Sequence, residues 1–261
     1  MFIDSHCHIH LSEFDLDREA IFDRAHAVGV HYFMVVGNDH QSNQQGFDLL
    51  QNRPDCFFAL GIHPHHINEW TAEVKQWIDD KMSHPRVKAV GEAGLDYCKN
   101  PYSKEQQERV LRDQIDLALK YNKPIVLHIR DAFDDAYNIL KDYPHLRFVM
   151  HCFTGSQKDV EWIVQMGGYI SLSGIVTFAN AKTLKDVVPS IPRDKLLWET
   201  DAPFLAPGKY RGKRCEPSFI IETAQTVADL YQTSLPQLAD QVLINTKTIF
   251  GFEDISTPST K

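Results

Sequence analysis

The chain has 261 residues, 43% of them hydrophobic, enough for the core of one large α/β domain or two small ones. A formal net charge of −8 argues against a protein that coats nucleic acid non-specifically, but not against a nucleic-acid enzyme whose carboxylates hold cations. No apolar run long enough to span a membrane and no basic-then-apolar leader is present, and five cysteines form no CxxC pair, so the expectation is a cytoplasmic protein with no membrane association.

Short β-branched or aromatic runs alternate with longer amphipathic stretches. The first run, at 2–3, leads into His6-Cys7-His8. If that strand continues, alternation puts His6 and His8 on one face and Cys7 on the other. A helical stretch at 17–28 precedes strands at 32–36 and 57–62, the latter ending in Gly61-Ile62-His63-Pro64. A helix at 71–82 leads to a strand at 87–91, followed by Glu92-Ala93-Gly94-Leu95-Asp96. Ser103 and Gln106 form a capping box for a helix at 104–121, and Pro124 separates it from the strand at 125–129, which carries His128 and runs into Arg130. A helix at 131–141, a strand at 148–152 with His151, a helix at 159–166 and a strand at 169–173 follow. The eighth strand, 196–199, ends in Glu199-Thr200-Asp201, and helices at 217–231 and 235–248 close the domain.

Strands alternating with helices imply a mostly parallel sheet, and eight such units match the size of a single-domain (β/α)8 TIM barrel. An open doubly wound sheet is the alternative, weakened because no glycine-rich dinucleotide fingerprint follows the first strand. The predicted barrel spans 1–252, with a flexible tail at 253–261. In a barrel the strand ends meet at one mouth, which gathers His6, His8, Glu92, His128, His151 and Asp201. Four imidazoles and two carboxylates are too many for one tetrahedral ion and suit two, with Glu92 the best candidate bridge. Nitrogen and oxygen donors without thiolate point to Zn²⁺, Mn²⁺ or Fe²⁺, with Mg²⁺ at a labile position. Cys7 and Cys152 read better as packing residues than as ligands. Taken singly, His128 between Leu127 and Ile129 would read as a core histidine; its company makes it a candidate ligand.

The segments Asp4-Ser5-His6-Cys7-His8, Gly61-Ile62-His63-Pro64, Gly91-Glu92-Ala93-Gly94-Leu95-Asp96, His128-Ile129-Arg130, His151-Cys152-Phe153-Thr154-Gly155-Ser156 and Glu199-Thr200-Asp201-Ala202-Pro203 resemble the TatD family of metal-dependent deoxyribonucleases. The resemblance implies a TIM barrel with one metal at His6, His8, Glu92 and Asp201 and a second at Glu92, His128 and His151. It implies hydrolysis of DNA phosphodiesters, as a 3′-5′ exonuclease on single-stranded or frayed ends. Where the family commonly has Arg-Asn-Glu-Pro, this chain has Arg214-Cys215-Glu216-Pro217, and a thiol cannot replace an amide that donates and accepts hydrogen bonds.

Several roles follow as expectations. Asp201 serves as ligand and as acceptor of the water's proton. His63 protonates a leaving group, binds phosphate or hydrogen-bonds within the mouth. Glu199 orients a ligand or is a structural partner. Arg130 and the basic loop Lys209, Arg211, Lys213 and Arg214 are candidate substrate contacts, with Tyr210 one stacking platform. The rival is a metal hydrolase of an aminoacyl-tRNA ester or a small cyclic amide. Related barrels often bridge their metals with a modified lysine, and Glu92 at that place favours the phosphodiesterase. A metal-stabilised platform without activity would leave the whole donor set idle.

Overall fold

The computed structural model describes residues 1–252, so the tail predicted at 253–261 lies outside the described residues. Eight parallel strands pair in sequence order: β1 (Phe2–Cys7), β2 (Val30–Val36), β3 (Cys56–Leu60), β4 (Val87–Asp96), β5 (Ile125–Arg130), β6 (Phe148–Met150), β7 (Tyr169–Leu172) and β8 (Leu196–Trp198). Backbone bonds from Asp201 N to His6 O (2.9 Å) and from His8 N to Ala202 O (2.7 Å) join the end of β8 to β1 and bring the sheet round to a nearly closed barrel. The expected (β/α)8 barrel is the observed fold.

The helices between strands are α1 (Arg18–Ala27), α2 (His40–Asn52), α3 (Ala72–Lys81), α4 (Lys104–Lys120), α5 (Phe133–Leu140), α6 (Gln157–Gln165) and α7 (Lys182–Val187), followed by α8 (Ile220–Leu230) and α9 (Leu235–Phe250). Sequence periodicity missed α2 and α7. Helix α2 is rich in Gln, Asn and Ser, and its signal is local: Asp39 and Ser42 cap its start reciprocally. Helix α7 spans only six residues, too short for a period to register.

Inside the barrel, Ile3, Met34, Val36, Ala59, Ala89, Val126, Val149 and Leu197 pack together, and Phe250 and Phe252 join them. The outer layer, between strands and helices, includes Cys7, Phe33, Phe58, Ala93, Leu95, Leu127 and Met150. Ile3 and Cys7 have the same parity along β1 yet face opposite layers. A register shift between Asp4 and Cys7 resets the alternation, and a second shift between Val90 and Ala93 does the same in β4 beside Glu92. Two glycines permit the tight approach there. A Cβ on Gly94 (φ +153°) would meet His128 O at 1.9 Å, and one on Gly61 would meet the Gly91 backbone at 2.6 Å.

Candidate metal centre

At the C-terminal mouth the six expected donors converge. His6 Nε2 and His8 Nε2 lie 3.2 Å apart. Glu92 Oε2 is 3.4 Å from the first and 3.7 Å from the second, and Asp201 Oδ1 is 3.6 and 3.3 Å from them. The other Glu92 oxygen, Oε1, lies 3.0 Å from both His128 Nδ1 and His151 Nε2. One carboxylate thus faces two pairs of imidazoles, one with each oxygen. Cys7 points away, its thiol 3.7 Å from Met34 O in the outer core.

Which imidazole nitrogen carries hydrogen is set by each ring's far side. His8 Nδ1 donates to Val36 O at 2.7 Å, since a carbonyl only accepts. His151 Nδ1 is 2.9 Å from Glu199 Oε1, which also accepts from Cys152 N, and His128 Nε2 is 3.0 Å from Asp96 Oδ2. With those hydrogens assigned, the nitrogens turned inward are lone pairs aimed at carboxylate oxygens that also only accept. Acceptors facing acceptors in a buried site need either protons or cations between them.

The electrostatics agree. Burial opposes charge on His8, His128 and His151, but the surrounding carboxylates prevail and raise all three above the ordinary histidine value. Burial likewise opposes charge on Glu92 and Asp201, yet the histidines hold both below the usual carboxylate range. Burial and the charge of His151 lower His6 instead, whose Nδ1 is buried without a partner. Without a cation the cluster draws protons, and a divalent ion would displace them. The donor set therefore fits a metal.

The cleft above it holds about 570 Å³ and is lined by His8, Asn38, His63, Glu92, His128, Arg130, His151, Cys152, Phe204 and Asp201 among others. His63 Nε2 is 3.7 Å from Glu92 Oε1, and His63 Nδ1 accepts from His65 N at 3.1 Å. Burial drives the His63 pKa down to about 3, so the ring is neutral with its hydrogen on Nε2. His65 and His66 also line the cleft, and His65 Nε2 is 3.1 Å from Asp96 Oδ2. At the rim Asp39, His66 and Glu69 come together, but Asp39 caps α2 and Glu69 Oε2 accepts from His40 N.

The basic loop stands apart. Arg130 reaches the cleft; Lys209, Arg211, Lys213 and Arg214 do not line it. Lys209 pairs with Glu222 at 2.8 Å, and Arg214 with Asp17 at 2.6 Å and with the carbonyl of Glu13. The Arg211 guanidinium covers the Phe178 ring at 4.5 Å and Lys213 lies over Tyr210 at 5.8 Å. Cys215 is buried with its thiol 3.8 Å from Thr200 O, a packing position outside the cleft. Asp96 and Phe204 are, with Asn38 and His65, site residues that sequence reading passed over. Asp96 stands two residues after Gly94 and four after Glu92 along β4, an even spacing that signals a shared face.

The family model for TatD related DNase matches residues 3–251. The chain belongs to that family. It is 38% identical over 252 residues to the "Uncharacterized metal-dependent hydrolase YabD" of Bacillus subtilis (strain 168), covering 96% of this chain and 99% of that protein. It is 34% identical over 248 residues to the "3'-5' ssDNA/RNA exonuclease TatD" of Erwinia tasmaniensis, covering 92% and 96%. The crystal structure of YJJV, a TatD homolog from Escherichia coli K12, superposes with a TM-score of 0.91 at 30% identity, over 96% of this chain and 98% of that one. The TatD-family protein is thus an enzyme of the metal-dependent hydrolase class. No helix among the described residues is long and apolar enough to cross a membrane.

Proposed function

We propose that this enzyme hydrolyses single-stranded or frayed DNA from the 3′ end with two divalent ions, and that RNA shares the site, as the name of the Erwinia relative suggests. The observation that carries the reading is Glu92, whose two oxygens face His6 and His8 on one side and His128 and His151 on the other. His6, His8, Glu92 and Asp201 would hold one ion and Glu92, His128 and His151 the other, with zinc and manganese best matched to these donors and magnesium an alternative. When bound, such ions supply positive charge that offsets phosphate charge and lowers the pKa of water.

The chain's own residues supply the rest. Asp201 accepts a proton from the water whose oxygen joins phosphorus as the bond to the leaving 3′-oxygen breaks; that proton returns through solvent to the leaving oxygen. His63, neutral with hydrogen on Nε2, donates to a phosphate oxygen, a role its tautomer favours over storing a proton. Arg130 at the cleft is the nearest candidate for the next phosphate. Arg211 and Lys213 pair with no carboxylate among the described residues and are candidates for the strand beyond, whereas Lys209 and Arg214 would have to exchange Glu222 and Asp17 for phosphate. Five free cysteines fit a reducing, cytoplasmic setting.

The test uses single-stranded oligonucleotides labelled at either end. Loss of nucleotides from the 3′ end, abolished by chelation and restored by zinc, manganese or magnesium, is expected. Undiminished hydrolysis after exhaustive chelation, or shortening from the 5′ end, would overturn it.

A further inference from the structure

Among the described residues, six large hydrophobic side chains are conspicuously exposed, and only one of them, Phe204, lies in the cleft, at 46% exposure. A lone exposed apolar side chain on a convex surface needs no explanation. This one sits three residues beyond Asp201, in the wall of the metal centre. Its backbone is tied down: Phe204 N donates to Asp201 O at 2.8 Å, and Asp201 N to His6 O at 2.9 Å. The ring is steeply inclined to His8, with centroids 5.9 Å apart and planes at 65°, so the two rings are not stacked face to face. Ile129, Ile175 and Leu205 line the same cleft and offer no side-chain donor or acceptor.

The platform expected from sequence, Tyr210, is already used. Its ring stacks on Phe219 at 3.9 Å and 10°, and it does not line the cleft. We propose that Phe204 stacks on the base of the terminal nucleotide and so holds the adjacent phosphodiester over the metal centre. This rests on the nuclease reading above and adds the part of the substrate that the metal ligands cannot recognise. A phenyl face accepts any base, so end-specific hydrolysis proceeds without sequence preference. Phe204 is thus a binding residue rather than a proton-transfer group, and its loss acts on substrate affinity.

The experiment compares two single-stranded oligonucleotides that differ only in whether the 3′-terminal nucleotide carries its base or is abasic. For the wild type, kcat/KM is expected to be about ten-fold higher on the base-bearing strand. In Phe204→Ala that ratio falls to near one, through a rise in KM on the base-bearing strand with kcat little changed; Phe204→Trp keeps or raises the ratio. Phe204→Leu retains apolar bulk but no π face and should behave like the alanine variant, with metal content and thermal midpoint confirming a folded barrel. Equal rates of the wild type on both strands, or an unchanged ratio in the alanine and leucine variants, overturn the stacking role and leave the nuclease reading intact. Failure to cleave either strand overturns both.

Discussion

The two ends of this barrel solve the same problem in opposite ways. At the N-terminal end, helix C-termini leave carbonyls without intrahelical partners, and cations satisfy them together with the Val87 carbonyl at the start of β4. Lys123 Nζ donates to Met82 O and Val87 O, Lys88 Nζ to Gly251 O at 3.1 Å, and Arg147 to the carbonyls of Asn122 and Ile249. At the C-terminal end, four imidazoles and two carboxylates crowd together with lone pairs facing lone pairs. One end is completed by the protein itself; the other is completed only by protons or metal. Burial of unsatisfied groups is costly, so the fold concentrates it where chemistry is done.

The largest effect should come from removing the shared carboxylate. Glu92→Gln replaces an oxygen that accepts with an amide that donates, next to imidazole lone pairs, and should lower activity by about 10³-fold with metal content reduced. Wild-type turnover in a folded variant, measured on a labelled oligonucleotide, would falsify the shared-ligand arrangement. A smaller loss is expected one layer out. Asp96→Asn and Glu199→Gln leave every inward nitrogen in place but release His128 and His151 from the partners that orient them. Each should weaken metal affinity by about 10–100-fold, read by titration of the apoprotein. If either variant binds metal as the wild type does, the orientation of these rings is held by packing alone.

The contrast between the two ends also explains what the sequence could disclose. Donors at strand ends were legible because a barrel brings every strand end to one mouth, so position along the chain was enough to gather His6, His8, Glu92, His128, His151 and Asp201. Charge was legible, but partners were not: Arg214 reads as a free cation until Asp17, 197 residues earlier, is found against it. The phases of β1 and β4 were hidden because both faces of these strands are buried, so the sequence carries no polar alternation that a bulge could visibly shift. Phe204 was hidden for a related reason. Its aromatic type suggests core, and only the turn after Asp201 puts its ring in the open.

At the opposite end, Lys123→Met should do the reverse of Glu92→Gln. Leaving Met82 O and Val87 O without their donor should cost about 1–3 kcal/mol in denaturant unfolding, while kcat/KM stays within about two-fold of wild type. A large loss of activity at unchanged stability would show that the ends are coupled and undo the division of labour.

The smallest effect concerns Glu216, a group at the functional end that the protein does complete. It accepts from Arg24 Nε at 2.9 Å and Nη2 at 2.7 Å, and from Ser218, and so ties the loop after β8 to α1. Burial alone would raise its pKa; the Arg24 and Ser218 bonds outweigh burial and hold it below the ordinary 4.5. A carboxyl depressed in the folded state adds stability that is present above the unfolded value and lost as pH falls through the folded one. Wild type should therefore exceed Glu216→Gln by about 0.5–1 kcal/mol at pH 7, discounted because Arg24 is half exposed, and the two should converge only below pH 4.5. Denaturation curves collected at several pH values decide it. A difference that persists unchanged at the lowest pH would assign the contribution to packing of the loop, and the carboxylate's charge would then have no part in holding it.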